Sequence, residues 1–303
     1  MEYLLFTIYY LIFVFCIVMD NKITEKDVNN CNNNIFGDWF SKNVVISNYP
    51  FAHTIIENFL HDQVYSDIVC EFPDCPDDAW WKYCNPLEVK YAYDDIVNMP
   101  KNMRNFFMAM SSKKIISRME EIFSINGLQY DPYCHGGGIH MHPRNGRLNM
   151  HLDYEKHPYI NKQRRLNVIL YCNDAWESSW NGDTQLWDKD LTDCCVKSYP
   201  KKNHALIFET TEDSWHGVPE KITCPDGIYR KTLAYYYISN ITSSKDTSKI
   251  GSDSLGYRNR ATFKQTNNSE YDERIEKLCK IRPNRRITDE DMNEIWPEWT
   301  LEI

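Results

Sequence analysis

Residues 136–153, GGGIHMHPRNGRLNMHLD, decide how the whole chain is interpreted, because the sequence pattern changes at this point. After the three glycines come two β-rich runs, Ile139–His142 and Leu148–His151, with turn residues between them. Short runs of this kind, bounded by glycine, proline and asparagine, predict strands. Alternate side chains of a strand point to the same face, so His151 and Asp153 are expected to project together.

Similar runs continue as far as residue 238, and no long helical pattern interrupts them. They are Arg165–Tyr171, Thr184–Trp187, Ala205–Phe208 and Thr232–Ile238. Many short strands without intervening helices are typical of an antiparallel sandwich or jelly roll. We therefore predict a mostly β protein with flanking helices, in which the core is a double-stranded β-helix (jelly roll).

The part of the chain before the glycines has a helical pattern. An apolar stretch at 51–59 predicts a strand that enters the domain. One helix is predicted to begin at His61-Asp62 and another at Ser112, each with a single apolar face. The β core is thus expected to follow an α-helical lead-in.

These patterns divide the chain into four parts. They are a hydrophobic segment at 1–19, a polar tether at 20–34, the main domain at 35–240 with its β core at 136–240, and a linker with a C-terminal helical extension at 241–303. In the last part, the composition of 241–255 predicts a linker and 269–280 predicts a helix. Thr288 and Asp291 have the spacing of a helix capping box.

Residues 3–19 form an uncharged apolar run of 17 residues, which is at the short limit for a helix that spans a membrane. We interpret this run as a membrane anchor. The sequons at Asn240 and Asn267 would then suit a body on the lumenal side. A cleavable signal peptide is the competing interpretation, although a positive n-region and a small-residue cleavage site are both missing. If Met19 is the true start, the run is a gene-model artefact and a cytoplasmic protein is expected.

The composition, with 42% apolar and 14% aromatic residues, is that of a globular protein. The net charge of −9 argues against nucleic acid as a partner, because phosphate contacts need a basic face. A short basic patch at Lys162, Arg164 and Arg165 is typical of a solvated strand end. Eleven cysteines without a Cys-x-x-Cys pair argue against a structural zinc site, and they are compatible with a few disulfides or none.

The residues that could carry chemistry form an ordered set at strand ends. His216 lies 63 residues after Asp153, and Arg230 opens the next apolar strand. Two histidines and a carboxylate are the ligands of the open facial triad of non-haem iron. A downstream arginine suits a dicarboxylate co-substrate, because its planar guanidinium can form two parallel bonds to a carboxylate. A His near an Asp is common by chance, so the order and the strand context carry this prediction.

Five stretches of the core carry a family resemblance. They are GGGIHMHPRNGRLNMHLD (136–153), RRLNVILYCNDAW (164–176), NGDTQLWD (181–188), WHGVP (215–219) and RKTLAYYYIS (230–239). Together they resemble the 2-oxoglutarate/Fe(II) dioxygenases of the prolyl 4-hydroxylase type. Upstream, PFAHTIIENFL (50–60) and NPLEVKYAYDD (85–95) resemble the lead-in of a bacterial and viral branch of that family.

The resemblance implies a catalytic centre in which His151, Asp153 and His216 bind Fe(II). It also implies that Arg230 binds the distal carboxylate of the co-substrate 2-oxoglutarate, and the further contacts that it implies are Thr232 and Tyr171. Molecular oxygen is the second co-substrate, and ascorbate is an additional candidate cofactor.

Two features of the chain qualify this assignment. Arg230 lies 14 residues after His216, further than in many members of the family, so 221–229 would form a hairpin insertion. Lys231 is the fallback partner for the carboxylate, although it should point to the opposite face. The loops at 154–164 and 175–182 are candidate lids, in which the aromatic side chains that could contact substrate are Tyr159, Trp176 and Trp180.

We therefore predict an Fe(II)- and 2-oxoglutarate-dependent dioxygenase that hydroxylates its substrate, with a prolyl residue of a protein or peptide as the first choice. The same cofactors acting on another side chain, a sugar or a small metabolite are one alternative. A non-catalytic jelly-roll module that binds a partner is another. A zinc hydrolase built on the same ligands would leave Arg230 unexplained.

Overall fold

The computed structural model describes residues 22–32, 34–241, 260–267 and 269–300, and thirteen strands in this part form one antiparallel sheet. The strands are β1 (His53–Ile56), β2 (Trp81–Asn85), β3 (Glu88–Tyr93), β4 (Gln129–Tyr130), β5 (Gly138–His142), β6 (Arg147–Leu152), β7 (Lys162–Tyr171), β8 (Thr184–Trp187), β9 (Cys194–Ser198), β10 (Ala205–Glu209), β11 (His216–Val218), β12 (Arg230–Asn240) and β13 (Thr262–Phe263). The helices are α1 (Glu25–Asn30), α2 (Asp62–Cys70), α3 (Lys101–Met110), α4 (Lys113–Phe123), α5 (Glu273–Ile281) and α6 (Asp289–Ile295).

The sheet curls into a nearly closed barrel with two walls. One wall has the strand order β1-β10-β7-β12-β5, and the other has the order β6-β11-β8-β9. Strand β3 joins them, because its residues 91–93 pair with β5 while Glu88 and Val89 pair with β6. This architecture confirms the predicted mostly β fold with a jelly-roll core.

The period-two pattern of the strands separates the hydrophobic core from the interior of the barrel. In β12, Leu233, Tyr235 and Tyr237 are fully buried in the main core together with residues of α3 and α4. The Tyr237 hydroxyl donates to the Met110 carbonyl at 2.9 Å, which ties the end of α3 to the sheet. The alternate residues Arg230 and Thr232 face the other way, into the barrel.

The predicted elements of the lead-in are largely confirmed. β1, α2 and α4 occur where the sequence indicated a strand and two helices, and His61 and Ser112 occupy the N-cap positions. The hairpin β2–β3 and the helix α3 were not predicted. Within the predicted polar tether at 20–34, α1 covers Glu25–Asn30, and Ile23 is buried and donates its N–H to the Pro132 carbonyl at 2.7 Å.

The C-terminal extension is part of the domain. α5 confirms the helix predicted at 269–280, and the capping box of Thr288 and Asp291 opens α6. β13 pairs with β6, and Phe263 packs with Leu278 of α5.

Several predictions concern residues outside the described ones. The hydrophobic segment 3–19 and most of the predicted linker 241–255 lie there, and each sequon includes one such residue. Within the described ranges, none of the helices has the length and apolar character needed to cross a bilayer. All ten described cysteines are free thiols.

Candidate metal centre and cavity

Three metal-ligand side chains converge where β6 ends and β11 begins. His216 pairs directly with His151 across the two strands, and Asp153 follows β6 by one residue. The Nε2 atom of His151 lies 3.7 Å from Asp153 Oδ1, and Nε2 of His216 lies 3.6 Å from Oδ2. All three side chains are buried, and their ligand atoms lie within 4.8 Å of one another. The structure thus brings together the three residues that the sequence placed in one site.

Hydrogen bonds fix the tautomer of both histidines. His151 Nδ1 lies 2.9 Å from the Asn149 carbonyl, and His216 Nδ1 lies 2.9 Å from the Ser214 carbonyl. A carbonyl only accepts, so each Nδ1 carries the hydrogen and each Nε2 presents a lone pair to the centre. Burial lowers the pKa of His151 to about 3, and burial also lowers the pKa of His216. Two neutral imidazoles and a carboxylate are a donor set that fits Fe(II).

A buried arginine, Arg164, holds the carboxylate of Asp153. Its Nη1 atom lies 3.0 Å from Asp153 Oδ1, and its guanidinium lies between the rings of Tyr154 and Tyr236, at 3.7 and 3.3 Å from their centroids. Burial alone would raise the pKa of Asp153, but the charge of Arg164 outweighs it and holds that pKa below its usual range. The interpretation of Arg164 as part of a solvated strand end is therefore wrong.

A second buried arginine, Arg230, begins β12, in the wall opposite the three metal-ligand residues. Its Nε donates to the Gly182 carbonyl at 2.6 Å and its Nη2 to Thr184 Oγ1 at 2.8 Å, so the guanidinium is fixed in the barrel. Thr232 is on the same face of β12, and both residues line the cavity. Gly182 has φ +87°, and a Cβ there would lie 3.3 Å from the Arg230 side chain, so a glycine suits this turn.

The other residues considered for the carboxylate have different surroundings. Tyr171 is fully buried, and its hydroxyl is engaged by Thr184 Oγ1 and the Ser198 carbonyl, both at 2.9 Å, with its ring 5.3 Å from the Arg230 guanidinium carbon. Lys231 lies on the other face, over the ring of Phe72, as its position in the strand predicts. Residues 221–229 form a loop with a turn, and the expected hairpin is wrong.

Between the two walls lies an open cavity of about 900 Å³. His140 and His142 are part of its wall, and both ring nitrogens of His142 are buried without a hydrogen-bond partner. An unsatisfied buried polar group of this kind indicates that a polar ligand belongs beside it. Of the loop aromatics, Tyr159 lines the cavity, whereas Trp176 and Trp180 pack against each other outside it.

Three features of the site were not found from the sequence. Arg164 was assigned to the surface, and Phe263, whose ring stacks on His151 with 5.2 Å between centroids, lies more than 100 residues away along the chain. Lys90 lies in the segment 85–95, where the sequence indicates a resemblance to the lead-in but gives no signal for a charged residue in the cavity wall.

The β core is similar to a known protein family. The model of the 2OG-Fe(II) oxygenase superfamily matches residues 137–238, which form most of the β core. No curated protein sequence matches the chain. Among solved structures, it is similar to a prolyl-4-hydroxylase from Pseudomonas putida, with 13% identity over 62% of this chain and 92% of that one and a TM-score of 0.44.

Two further structures have similar scores. A prolyl hydroxylase from Trichoplax adhaerens, in complex with a peptide fragment of the hypoxia inducible factor oxygen degradation domain, has 15% identity over 71% of this chain and 91% of that one, with a TM-score of 0.42. HygX from Streptomyces hygroscopicus, with nickel, 2-oxoglutarate and hygromycin B bound, has 10% identity over 64% and 85%, with a TM-score of 0.42.

Proposed function

We propose that this chain, whose residues 137–238 match the model of the 2OG-Fe(II) oxygenase superfamily, hydroxylates a prolyl residue of a peptide or protein. The observation that carries the proposal is the arrangement of the two walls. Three metal-ligand atoms lie on one wall, a fixed guanidinium lies on the other, and an open cavity separates them.

In this proposal His151, Asp153 and His216 are the Fe(II) ligands. The backbone carbonyls that accept from each Nδ1 hold the imidazoles in orientation, and Arg164 holds the carboxylate. With three protein ligands the coordination shell stays open. When bound, Fe(II), 2-oxoglutarate and molecular oxygen supply the oxidation, in which 2-oxoglutarate becomes succinate and carbon dioxide and a substrate C–H bond becomes C–OH.

Arg230 would bind the distal carboxylate of 2-oxoglutarate. Its Nε and Nη2 are held by Gly182 and Thr184, and the rest of the guanidinium remains to face the cavity. Thr232, on the same face, can add a hydroxyl contact. The buried His142, whose ring nitrogens are unsatisfied, lies directly opposite Arg230 on β5 and would gain a polar neighbour.

A peptide suits the size and the aromatic residues of the cavity. The hairpin β2–β3 and the loop 154–161 form an aromatic border of the cavity, to which they contribute Trp81, Tyr83 and Tyr159. Tyr159 is 47% exposed, so its ring is available to pack against a proline ring. The choice of proline rests on the motif resemblance of the core, and the aromatic border supports it.

The oxygenase centre is tested by anaerobic titration of the full chain with Fe(II) and 2-oxoglutarate, followed by the visible metal-to-ligand charge-transfer band. We expect the band in the wild type, its loss in His151→Ala and its weakening in Arg230→Met. Lys231→Met is the matched control, because it removes the neighbouring charge from the opposite face of β12 and should leave the band unchanged. A folded protein without the band would support the binding-module alternative.

The substrate is tested separately by incubating the loaded enzyme in air with a library of proline-containing peptides. A gain of one oxygen atom on proline, located by mass spectrometry and dependent on 2-oxoglutarate, is the expected result. Oxidation of a different side chain, or of sugars and metabolites in a parallel panel, would replace the prolyl assignment while leaving the oxygenase in place.

A further inference from the structure

The cavity is basic although the chain as a whole is acidic. Its described lining includes six cationic side chains and three carboxylates, whereas the net charge of the chain is −9. The cations are Lys90, Arg164, Arg230, Arg260, Arg282 and Arg286, and the carboxylates are Glu88, Asp94 and Asp153. A concentration of one sign of charge in a cleft attracts ligands of the opposite sign.

Ion pairs neutralise only part of this charge. Arg164 is paired with Asp153, and the Nε of Arg282 lies 2.6 Å from Glu88 Oε1. Asp94 accepts a hydrogen bond from the Trp81 indole at 2.9 Å. Arg230 is assigned to 2-oxoglutarate. The lining then has three further cations, whereas Asp94 is its one further carboxylate. The three cations are Lys90, Arg260 and Arg286, so the described part of the lining keeps a net positive charge.

Lys90 lies inside the cavity wall. It is opposite Tyr83 in the hairpin β2–β3, and its ammonium lies 5.3 Å from the centroid of that ring. None of the described carboxylates forms an ion pair with it. Burial lowers the pKa of Lys90, as expected for an ammonium without a close counter-charge.

Arg286 lies at the mouth of the same cavity and is already oriented. Its guanidinium carbon is 4.3 Å from the Trp81 ring centroid and 5.0 Å from that of Tyr83, and its Nη2 donates to the Tyr83 hydroxyl at 3.1 Å. By contrast, Arg282 and Arg285, on the same segment, are engaged by Glu88 and Asp291. Two cations without a carboxylate partner in the described structure therefore flank one aromatic ring of the cavity lining.

We infer that the substrate is an acidic peptide, with a carboxylate side chain near the target residue bound by Lys90 and Arg286. This inference rests on the proposed function for the chemistry of the target residue, and on the cavity charges for the acidic flank. A guanidinium held flat on aromatic rings is pre-organised for a carboxylate, which limits the entropy lost on binding.

The test is a titration of the metal-free full chain with fluorescent peptides in pairs that differ only in Asp/Glu against Asn/Gln beside the proline. We expect the acidic member to bind about 10-fold more tightly, in line with charge-assisted hydrogen bonds, and the preference to shrink as salt is raised. Arg286→Gln and Lys90→Met should each remove most of the preference. Lys82→Gln is the matched control, because Lys82 lies on the same hairpin, is exposed and does not line the cavity.

Equal affinity for the two members of each pair, tighter binding of the amide member, or an equal loss in Lys82→Gln would overturn the inference. A charge exchange adds a second arm, in which Arg286→Glu is expected to prefer lysine-flanked peptides. Binding is measured without metal, so its outcome is independent of the charge-transfer band that tests the oxygenase centre. Failure of the acidic-peptide inference is thus distinguishable from failure of the proposed oxygenase function.

Discussion

Replacement of Arg164 by methionine should destabilise the metal-free protein far more than the metal-loaded one. Arg164 is only 4% exposed. Its Nη1 atom lies 3.0 Å from Asp153 Oδ1, and its guanidinium lies between the rings of Tyr154 and Tyr236. Methionine fills much of the same volume but leaves the Asp153 carboxylate buried without its cation. Removing one partner of a buried ion pair costs about 3–5 kcal/mol, so the metal-free Arg164→Met variant should lose that much stability.

A bound divalent cation would supply the missing positive charge. The metal-loaded Arg164→Met variant then lacks only the cation–π and packing contributions of the guanidinium. We expect this loss to lower the free energy of unfolding by about 1–2 kcal/mol. The same metal concentration should therefore stabilise the variant by about 2–3 kcal/mol more than the wild type. The measurement is urea unfolding of both proteins with and without Co(II), a stand-in that avoids oxidation.

Arg165→Met is the matched control for this experiment. Arg165 is the next residue on the same strand, and its ion pair with Glu209 is partly exposed, with an Nη2 to Oε1 distance of 3.0 Å. Its loss should cost no more than about 1 kcal/mol, with or without metal. Equal destabilisation of metal-free and loaded Arg164→Met, or a loss as small as that of the control, would refute the electrostatic reasoning.

Three further predictions concern pH and packing. Burial, followed by the neighbouring cations, holds the pKa of His142 well below its usual value, so it stays neutral in the fold while the unfolded chain takes up a proton below about pH 6.5. Stability should therefore fall with acidification by up to about 1.4 kcal/mol per pH unit for this group, and His142→Phe should flatten the slope in urea unfolding between pH 6.5 and 5. Gly138→Ala should lower the melting temperature much more than Gly227→Ala does. At Gly138 φ is +99° and a Cβ would lie 2.2 Å from the Tyr93 carbonyl oxygen. At Gly227 the space is open, so only the left-handed backbone destabilises the alanine variant, by about 1–2 kcal/mol. Phe263→Ala should cost about 3–5 kcal/mol in the same denaturation assay, because the ring is buried against a metal-ligand histidine.

The arrangement of metal-ligand atoms and Arg230 could be predicted because strands have a period of two. His151 and Asp153 are two residues apart at one strand end, and Arg230 and Thr232 are two residues apart at the start of another. Local pattern therefore fixes which side chains share a face. The same period places Lys231, between Arg230 and Thr232, on the opposite face.

Arg164 could not be placed in this way, because a β-bulge interrupts the period. In the pairing of β7 with β12, Leu166 is opposite Tyr237 and Arg164 is opposite Ile238, so Arg165 is skipped. Strict alternation from Asn167, which lines the cavity, would have put Arg165 inside and Arg164 outside. The bulge turns Arg164 into the cavity and Arg165 away from it. A bulge has no reliable signal in a single sequence. Phe263 was missed for another reason, since its contact with His151 joins parts of the chain that no local pattern connects.

The bulge also bears on how the centre exists without metal. A triad whose carboxylate lacked a cation would leave a buried charge until the metal arrived, and folding would then depend on metal supply. Because the Arg164 guanidinium lies on one side of Asp153, with Nη1 3.0 Å from Oδ1, the charge of the carboxylate is balanced before the metal is bound. We expect the metal-free wild type to be folded and to bind metal with only a modest gain in stability. A metal-free chain that is unfolded at neutral pH, or that folds only on addition of Co(II), would contradict this account.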